Sequence, residues 1–494
     1  MQNYMPSLES LESAQSSPTQ TERDMAGRLT AAETLFRLDY PDYCSTGQLD
    51  DLRATDYSRL DRDQHTYLDY TGGSLYGDSQ ISKHSELLLS NVFGNPHSTN
   101  PTSVAMTRLV EQARAHMLSY FNASPEEYVA IFTQNASGAL KLVGESYPFG
   151  AGDQYLLTFD NHNSVNGIRE FARSKGASVT YAPVNPPDMI IDGNKLSSYL
   201  DLAQPGHNAL FAYPAQSNFS GVRHSLEWIA QAQAKGWDVL LDAAAFVPTN
   251  RLDLSIWHPD FVCLSFYKLF GYPTGVGCLI ARKRALAKLH RPWFAGGTIT
   301  VASVQGNRFY FHEGAEAFED GTLNYLALPA VDIGLRHIEE IGIDQIHTRA
   351  NCLTGWLLQE LTALRHSTGA PLVHIYGPVT TLNRGGTVTF NFYDPDGAFI
   401  DHRLVEYAAN RVNISLRTGC FCNPGGGELA LGISAEELTS CFLIKPDRLT
   451  IDEFRRCIDA KSTGAVRVSL GLVSSFADVY HFVQFAQTFI DKKV

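Results

Sequence analysis

Between residues 130 and 283 short apolar runs alternate with helical patterns, and this alternation restricts the possible folds more than any other feature of the chain. Residues 155–159, 178–182, 209–213, 238–241, 261–266 and 276–281 read as strands. Residues 164–175 and 225–235 carry apolar positions at helical spacing and are stopped by Gly176 and Gly236. Strands that alternate with helices favour a largely parallel sheet covered on both faces. In such sheets ligands sit beyond the carboxyl ends of the strands. Asp242 and Lys268 both fall at such ends in this reading, Lys268 as the residue that closes the 261–266 strand. Only a short glycine-rich turn follows Lys268, so residues 275–281 are expected to return as an antiparallel neighbour.

Beyond about Leu328 the character changes. Helical patterns at 330–340 and 344–364 precede a strand at 387–392, a helix at 400–411, a cysteine-bearing turn, and a last strand and helix. The expected fold class is therefore α/β: a mainly parallel large domain with a smaller α+β domain at the C-terminal side. The expected division is a disordered tail over 1–28, an N-terminal segment and large domain over 29–330, and the small domain over 331–494. The tail is rich in Ser, Glu, Gln and Thr and has no apolar run of the kind a signal peptide needs. Its early acids, Glu9 and Glu12, argue against a mitochondrial presequence.

A net charge of −13 disfavours nucleic acid as a partner, and the absence of any long apolar stretch disfavours a membrane span. Eight cysteines in 494 residues are too sparse for a disulfide framework. Cys44, Cys263, Cys278, Cys352, Cys441 and Cys457 are expected to be small buried hydrophobes in a reduced, cytoplasmic protein. Cys420 and Cys422 differ, because they flank a phenylalanine in a Gly/Pro-rich turn. No histidine or cysteine pair has convincing zinc spacing, so no metal site is expected.

Lys268 lies in Ser265-Phe266-Tyr267-Lys268-Leu269-Phe270-Gly271. The following glycines lack the spacing of a nucleotide-binding P-loop. A strand-end lysine with a strand-end aspartate is what pyridoxal 5'-phosphate (PLP) requires: an amine for a Schiff base, and a carboxylate to keep the pyridine nitrogen protonated. Ser137, opening a helix, could bind the phosphate or be a plain N-cap. Ser265 could reach it too, or be satisfied by backbone. His162, just past a strand, could stack on a cofactor ring or be an ordinary loop histidine. Arg467 could grip a carboxylate through two hydrogen bonds or be a surface charge on an edge strand.

Several longer runs go together: Gly94-Asn95-Pro96-His97-Ser98, Asn161-His162-Asn163-Ser164-Val165, Pro214-Ala215-Gln216-Ser217-Asn218-Phe219, the Lys268 run, Phe318-Glu319-Asp320-Gly321-Thr322, and Arg417-Thr418-Gly419-Cys420-Phe421-Cys422-Asn423-Pro424. With these the chain resembles the fold-type-I PLP enzymes of the class-V aminotransferase family over roughly residues 65–485. Within that family it is similar to cysteine desulfurases and to the N-terminal domain of molybdenum cofactor sulfurases. The resemblance implies that Lys268 holds PLP, Asp242 pairs with its ring nitrogen, Asn218 contacts the ring hydroxyl, and His162 stacks on the ring. It implies Ser137, Ser265 and Tyr267 at the phosphate, and Thr322 at the phosphate of a neighbouring subunit in a homodimer. Arg467 would hold the substrate carboxylate. Cys422 would carry the persulfide, with Cys420 as the alternative.

The implied activity is conversion of L-cysteine to L-alanine and an enzyme persulfide. The sulfurases continue into a cofactor-binding domain and this sequence stops at Val494, so the resemblance leaves the sulfur acceptor open, with a separate acceptor protein as one candidate. Three positions depart from the family pattern. Gly425-Gly426-Gly427 stand where Gly-Ala-Cys is usual, Ala245 replaces a glutamine, and Tyr267 replaces a histidine. The rival readings are a PLP lyase or transferase on another amino acid without a persulfide, and a PLP-binding relay subunit that docks an acceptor.

Overall fold

The computed structural model describes residues 20–96, 98–444, 448–450, 453, 457 and 464–493. Most of the expected tail, and His97, lie outside the described residues. Within the tail's expected span, a helix already begins at Gln20 and runs to Asp39, so the 1–28 boundary is corrected to one no later than Gln20.

Seven strands form the large sheet, in the order Tyr128–Thr133, Gly277–Arg282, Phe261–Ser265, Asp238–Asp242, Ala209–Pro214, Gln154–Thr158, Ser178–Ala182. All pairings are parallel except those of Gly277–Arg282, which runs antiparallel to both neighbours, as the short turn after Lys268 requires. Successive side chains on a strand point to opposite faces, and the packing obeys this. Phe132, Leu156, Phe211, Val239, Leu241, Val262 and Leu264 enter one core. Their strand neighbours Ile131, Leu157, Leu210, Leu240, Phe261 and Cys263 enter another, beneath the helix Ala136–Ser146. Near-continuous apolar strands are what a sheet covered on both faces demands.

A second sheet of four antiparallel strands has the order Val373–Tyr376, Thr387–Phe392, Ala465–Ser469, Arg417–Gly419. Ala465–Ser469 is an interior strand, so the edge-strand alternative for Arg467 falls away. The cores do not divide at residue 330 as expected. Leu328, Val331, Leu335 and Ile338 of the helix Leu328–Ile341 pack into the large-domain core. Phe36, Tyr43 and Leu68, from the other end of the chain, pack with Val388, Phe390, Val468 and Phe482. The small domain thus draws on both ends of the sequence.

Two cysteine expectations are corrected. Cys441 and Cys457 form a disulfide, and Cys44 is exposed, whereas Cys263, Cys278 and Cys352 are buried as expected. Among the described residues no helix is long and apolar enough to cross a membrane, and no cluster of His, Cys, Asp or Glu is suited to a metal ion.

Candidate active site

A cavity of about 170 Å3 opens beyond the carboxyl ends of the central strands, lined by Ser137, His162, Gln216, Asn218, Asp242, Ala245, Ser265, Tyr267 and Lys268. Asp242 ends its strand and is paired across to Cys263 in the next one. Lys268 does not end a strand. It stands in a short helix, Phe266–Phe270, that follows Ser265 directly. Phe266 and Phe270 stack there, their ring centroids 5.8 Å apart. Gly271 ends the turn at φ 81°, its Cα so close to the backbone of Leu75 and Tyr76 that no side chain fits.

The Lys268 amine makes no hydrogen bond or ion pair among the described residues. Burial lowers its pKa, an effect that Asp242 opposes and Arg467 reinforces. His162 is likewise held below its ordinary value, first by burial and then by Lys268 and Arg467, against the pull of Asp242. Its Nδ1 accepts from the Ser164 amide at 3.1 Å. Asp242 uses Oδ1 to accept from the Ala244 amide at 3.0 Å.

The helix Ala136–Ser146 is capped by Asn135, whose side chain accepts from the Gly138 amide at 2.9 Å. Ser137 is therefore not the cap. It lies in the first turn, exposed, with its hydroxyl 2.5 Å from that of Ser164. Ser265 is buried and accepts from the Ala136 amide at 2.8 Å, so the backbone-satisfied alternative holds for that hydrogen bond. Thr322 is not brought to this cavity. It lines a separate one of about 440 Å3 with Gly138, Lys141 and Asp320, and is exposed there.

The thiol-bearing turn is not extended. Phe421 and Cys422 both adopt left-handed conformations, φ 55° and 54°. Four hydrogen bonds hold this turn against the cavity loops. The Asn163 amide donates to the Cys422 carbonyl at 2.7 Å. Asn218 Nδ2 donates to the Phe421 carbonyl at 2.7 Å. Asn423 Nδ2 donates to the Asp160 carbonyl at 2.7 Å and to Asn218 Oδ1 at 3.0 Å. Asn423 Oδ1 then caps the helix Pro424–Ala430 through the Gly426 amide at 3.0 Å. Both Cys420 and Cys422 are exposed. A Cys422 thiolate favours the protonated forms of Lys268, Arg467 and Arg417.

The glycines after Pro424 have a physical reason. A Cβ at Gly426 would lie 2.9 Å from Asn423 Oδ1 and 3.0 Å from Phe219, and one at Gly425 would overlap the backbone of Phe159. An alanine at 426 has no room while Asn423 caps this helix.

Arg467 is buried. Its Nη1 donates to the Asn218 carbonyl at 3.0 Å and its Nη2 to Asp69 Oδ1 at 2.9 Å. The guanidinium lies over the Phe421 ring, 4.7 Å from the centroid. Arg417 reaches the other oxygen of Asp69, from Nη2 at 2.6 Å and from Nε at 3.0 Å. Sequence reasoning missed Asp69, which sits in an ordinary Tyr67-Leu68-Asp69-Tyr70 run. It also missed the role of Asn423, although Asn followed by Pro and a helix is a capping signal.

A lysine and an aspartate at the carboxyl ends of a doubly covered parallel sheet, with a smaller domain closing over them, define a fold-type-I transferase architecture. The chain belongs to the class-V aminotransferase family, whose sequence pattern matches residues 66–482. It is 38% identical over 477 residues to a molybdenum cofactor sulfurase of Solanum lycopersicum, covering 90% of this chain and 57% of that protein. It is 38% identical over 463 residues to that of Bos taurus, covering 89% and 51%. The chain thus spans little more than half the length of these relatives. Among solved structures, a cysteine desulfurase from Thermococcus onnurineus NA1 superposes with a TM-score of 0.71 at 24% identity, covering 89% of this chain and 98% of that one.

Proposed function

We propose that this chain is a PLP-dependent cysteine desulfurase that converts L-cysteine to L-alanine and loads the sulfur on Cys422 for transfer to an acceptor. The observation that carries the reading is the pinned Cys422 turn beside a cavity that holds an unpartnered lysine amine and a strand-end carboxylate. The residues fit PLP. Lys268 has a free amine for the aldehyde, Asp242 keeps Oδ2 uncommitted among the described residues, and Ser137 and Tyr267 offer hydroxyls at the cavity wall. Asn218 retains one amide hydrogen after bonding the turn. PLP supplies an electron sink that spreads the negative charge developing at the substrate Cα.

The protein's own groups do the rest. Burial favours the neutral form of Lys268, so its amine can take the Cα proton; one proton is later returned to Cβ and one to Cα, the second being the proton that the substrate thiol gives up. With PLP bound, Asp242 would hold a proton on the ring nitrogen, and His162, whose burial disfavours its charged form, would lie against the ring. Arg467 receives the substrate carboxylate. The Cys422 thiolate attacks the substrate sulfur: a sulfur–sulfur bond forms and the Cβ–sulfur bond breaks. The bonding pair stays on carbon, which takes up a proton to become the methyl of alanine.

The relatives bearing the sulfurase name support a sulfur-transfer reaction. A second copy of this chain would bring its Thr322 to the phosphate, consistent with the exposure of Thr322 away from its own Lys268. An active species that light scattering finds only as a monomer refutes that arrangement. The function itself is tested by mass spectrometry after L-cysteine is added. One extra sulfur on the Cys422 peptide, with alanine in solution, is expected. Alanine without modified Cys422 overturns the persulfide step.

A further inference from the structure

We infer that Asp69 is a positioning residue that converts Arg467 and Arg417 into a receptor for a single carboxylate, an inference that rests on the proposed amino-acid substrate. The antiparallel register sets Arg417 directly opposite Arg467. Directly paired residues project from the same face, and like charges in that arrangement repel. Asp69 lies between them, only 8% exposed, with one oxygen on each guanidinium. Its backbone is fixed by a parallel bridge to Ser469 and by the Ser469 amide donating to the Leu68 carbonyl at 2.7 Å.

The chain then folds back over the carboxylate, the Gly72 and Gly73 amides donating to the Asp69 carbonyl at 3.0 and 3.1 Å. A Cβ on Gly72 would stand 2.7 Å from both Asp69 Oδ1 and Arg417 Nη2, so glycine is what lets the carboxylate sit there.

This arrangement changes what Arg467 can do. Each of its Nη groups already commits one hydrogen, Nη1 to the Asn218 carbonyl and Nη2 to Asp69. Its Nε is buried and has no partner among the described residues. Arg417 is exposed, and its Nη1 makes no hydrogen bond among the described residues. An incoming carboxylate therefore meets two arginines whose charge and donors are already shared with Asp69, rather than one uncommitted fork. Two guanidiniums and one carboxylate leave one positive charge, which one substrate carboxylate neutralises. A second anionic group finds no second uncompensated cation in this three-residue cluster and is repelled by Asp69. Asp69 thus selects for monoanionic substrates.

The test is calorimetric binding of two amine-free ligands to the cofactor-loaded protein: 3-mercaptopropionate, with one negative charge at neutral pH, and 3-sulfopropionate, with two. Wild type is expected to favour the monoanion. Asp69→Asn raises the cluster to two positive charges and should shift the affinity ratio toward the dianion by about tenfold or more. Arg417→Gln lowers the cluster to zero net charge and should weaken both ligands, the dianion more. Gly72→Ala keeps every charge but displaces the carboxylate, and should move the ratio in the direction of Asp69→Asn. It serves if that variant does not fold. A ratio unchanged from wild type in the folded variants overturns the inference. A purely structural role for Asp69 would lower both affinities without changing their ratio. Neither ligand carries an amine, so the ratio does not depend on cofactor chemistry. Failure of wild type to release alanine from cysteine would sink the desulfurase reading and leave the ratio to decide on Asp69.

Discussion

Asp242 ends one strand and Lys268 stands in the helix that directly follows its neighbour, within one stretch of chain, whereas Arg467, Arg417 and Asp69 meet from segments 348 and 398 positions apart. The lysine side rests on a rule of parallel sheets, that ligand groups gather beyond the strand ends. The arginine side rests on the register of a small antiparallel sheet and on a loop that crosses it. The first can lose a side chain and keep its shape. In the second, each side chain holds another in place, so single changes should spread. The thiol turn belongs with the second kind, because Asn423 and Asn218 tie it to loops of the large domain.

The largest effect is expected on the lysine side. Lys268→Ala should lower alanine formation from cysteine by roughly 10^3-fold and abolish the covalent cofactor link, seen as loss of the yellow band, while leaving thermal stability near wild type. Borohydride reduction that traps PLP on any other lysine would break this half of the comparison.

Cys422→Ser comes next. It should still bind PLP and respond spectrally to cysteine, yet release sulfur at least about 10^2-fold more slowly, since an oxygen nucleophile does not accept a sulfane sulfur as a thiolate does. Cys420→Ser should cost much less. The reverse pattern would move the persulfide to Cys420, and full activity in both would favour a lyase with no persulfide.

Asn423→Ala sharpens the contrast, because it removes no reacting group. It takes a partner from the Asp160 carbonyl, from Asn218 Oδ1 and from the Gly426 amide, at a cost of about 2 kcal/mol. A lowered melting temperature is expected, with sulfur transfer reduced more than the spectral response to substrate. Equal loss of both would mean that the turn and the lysine pocket are one unit.

The smallest effect concerns pH. The folded state disfavours protonated His162, chiefly through burial. Below the ordinary histidine value of about 6.5, the unfolded chain takes up a proton that the folded imidazole resists. Stability is therefore lost as pH falls through that window, and His162→Gln should flatten this part of the acid limb of a thermal unfolding series. An unchanged limb would show that His162 titrates freely.

Much of the lysine side was legible because each of its signals is local. Asp242 closes an apolar run, and the turn after Lys268 is too short for anything but an antiparallel return, which the Gly277–Arg282 pairing bears out. Even so, the strand was expected to reach Lys268, and the backbone turned into a helix one residue after Ser265. The 3.6-residue spacing of Phe266 and Phe270 competes with the strand pattern at that point. Ser137 looked like a cap because serine prefers that position, but Asn135 two residues earlier took it. The left-handed Phe421 and Cys422 were not legible, because neither residue type favours that region and only the surrounding hydrogen bonds hold them there.

The sequence by itself determined the parallel sheet, the strand-end position of Asp242 and the neighbourhood of Lys268. The physical reason is that apolar periodicity and turn chemistry act over a few residues. It also marked Arg467 and Cys422 as residues to watch. Only the tertiary structure decided that Arg467 lies inside a sheet and shares Asp69 with Arg417, that Asn423 fastens the thiol turn, and that the N-terminal segment packs into the small domain. Those outcomes depend on which distant strands pair and in what register, and no local preference along the chain encodes that.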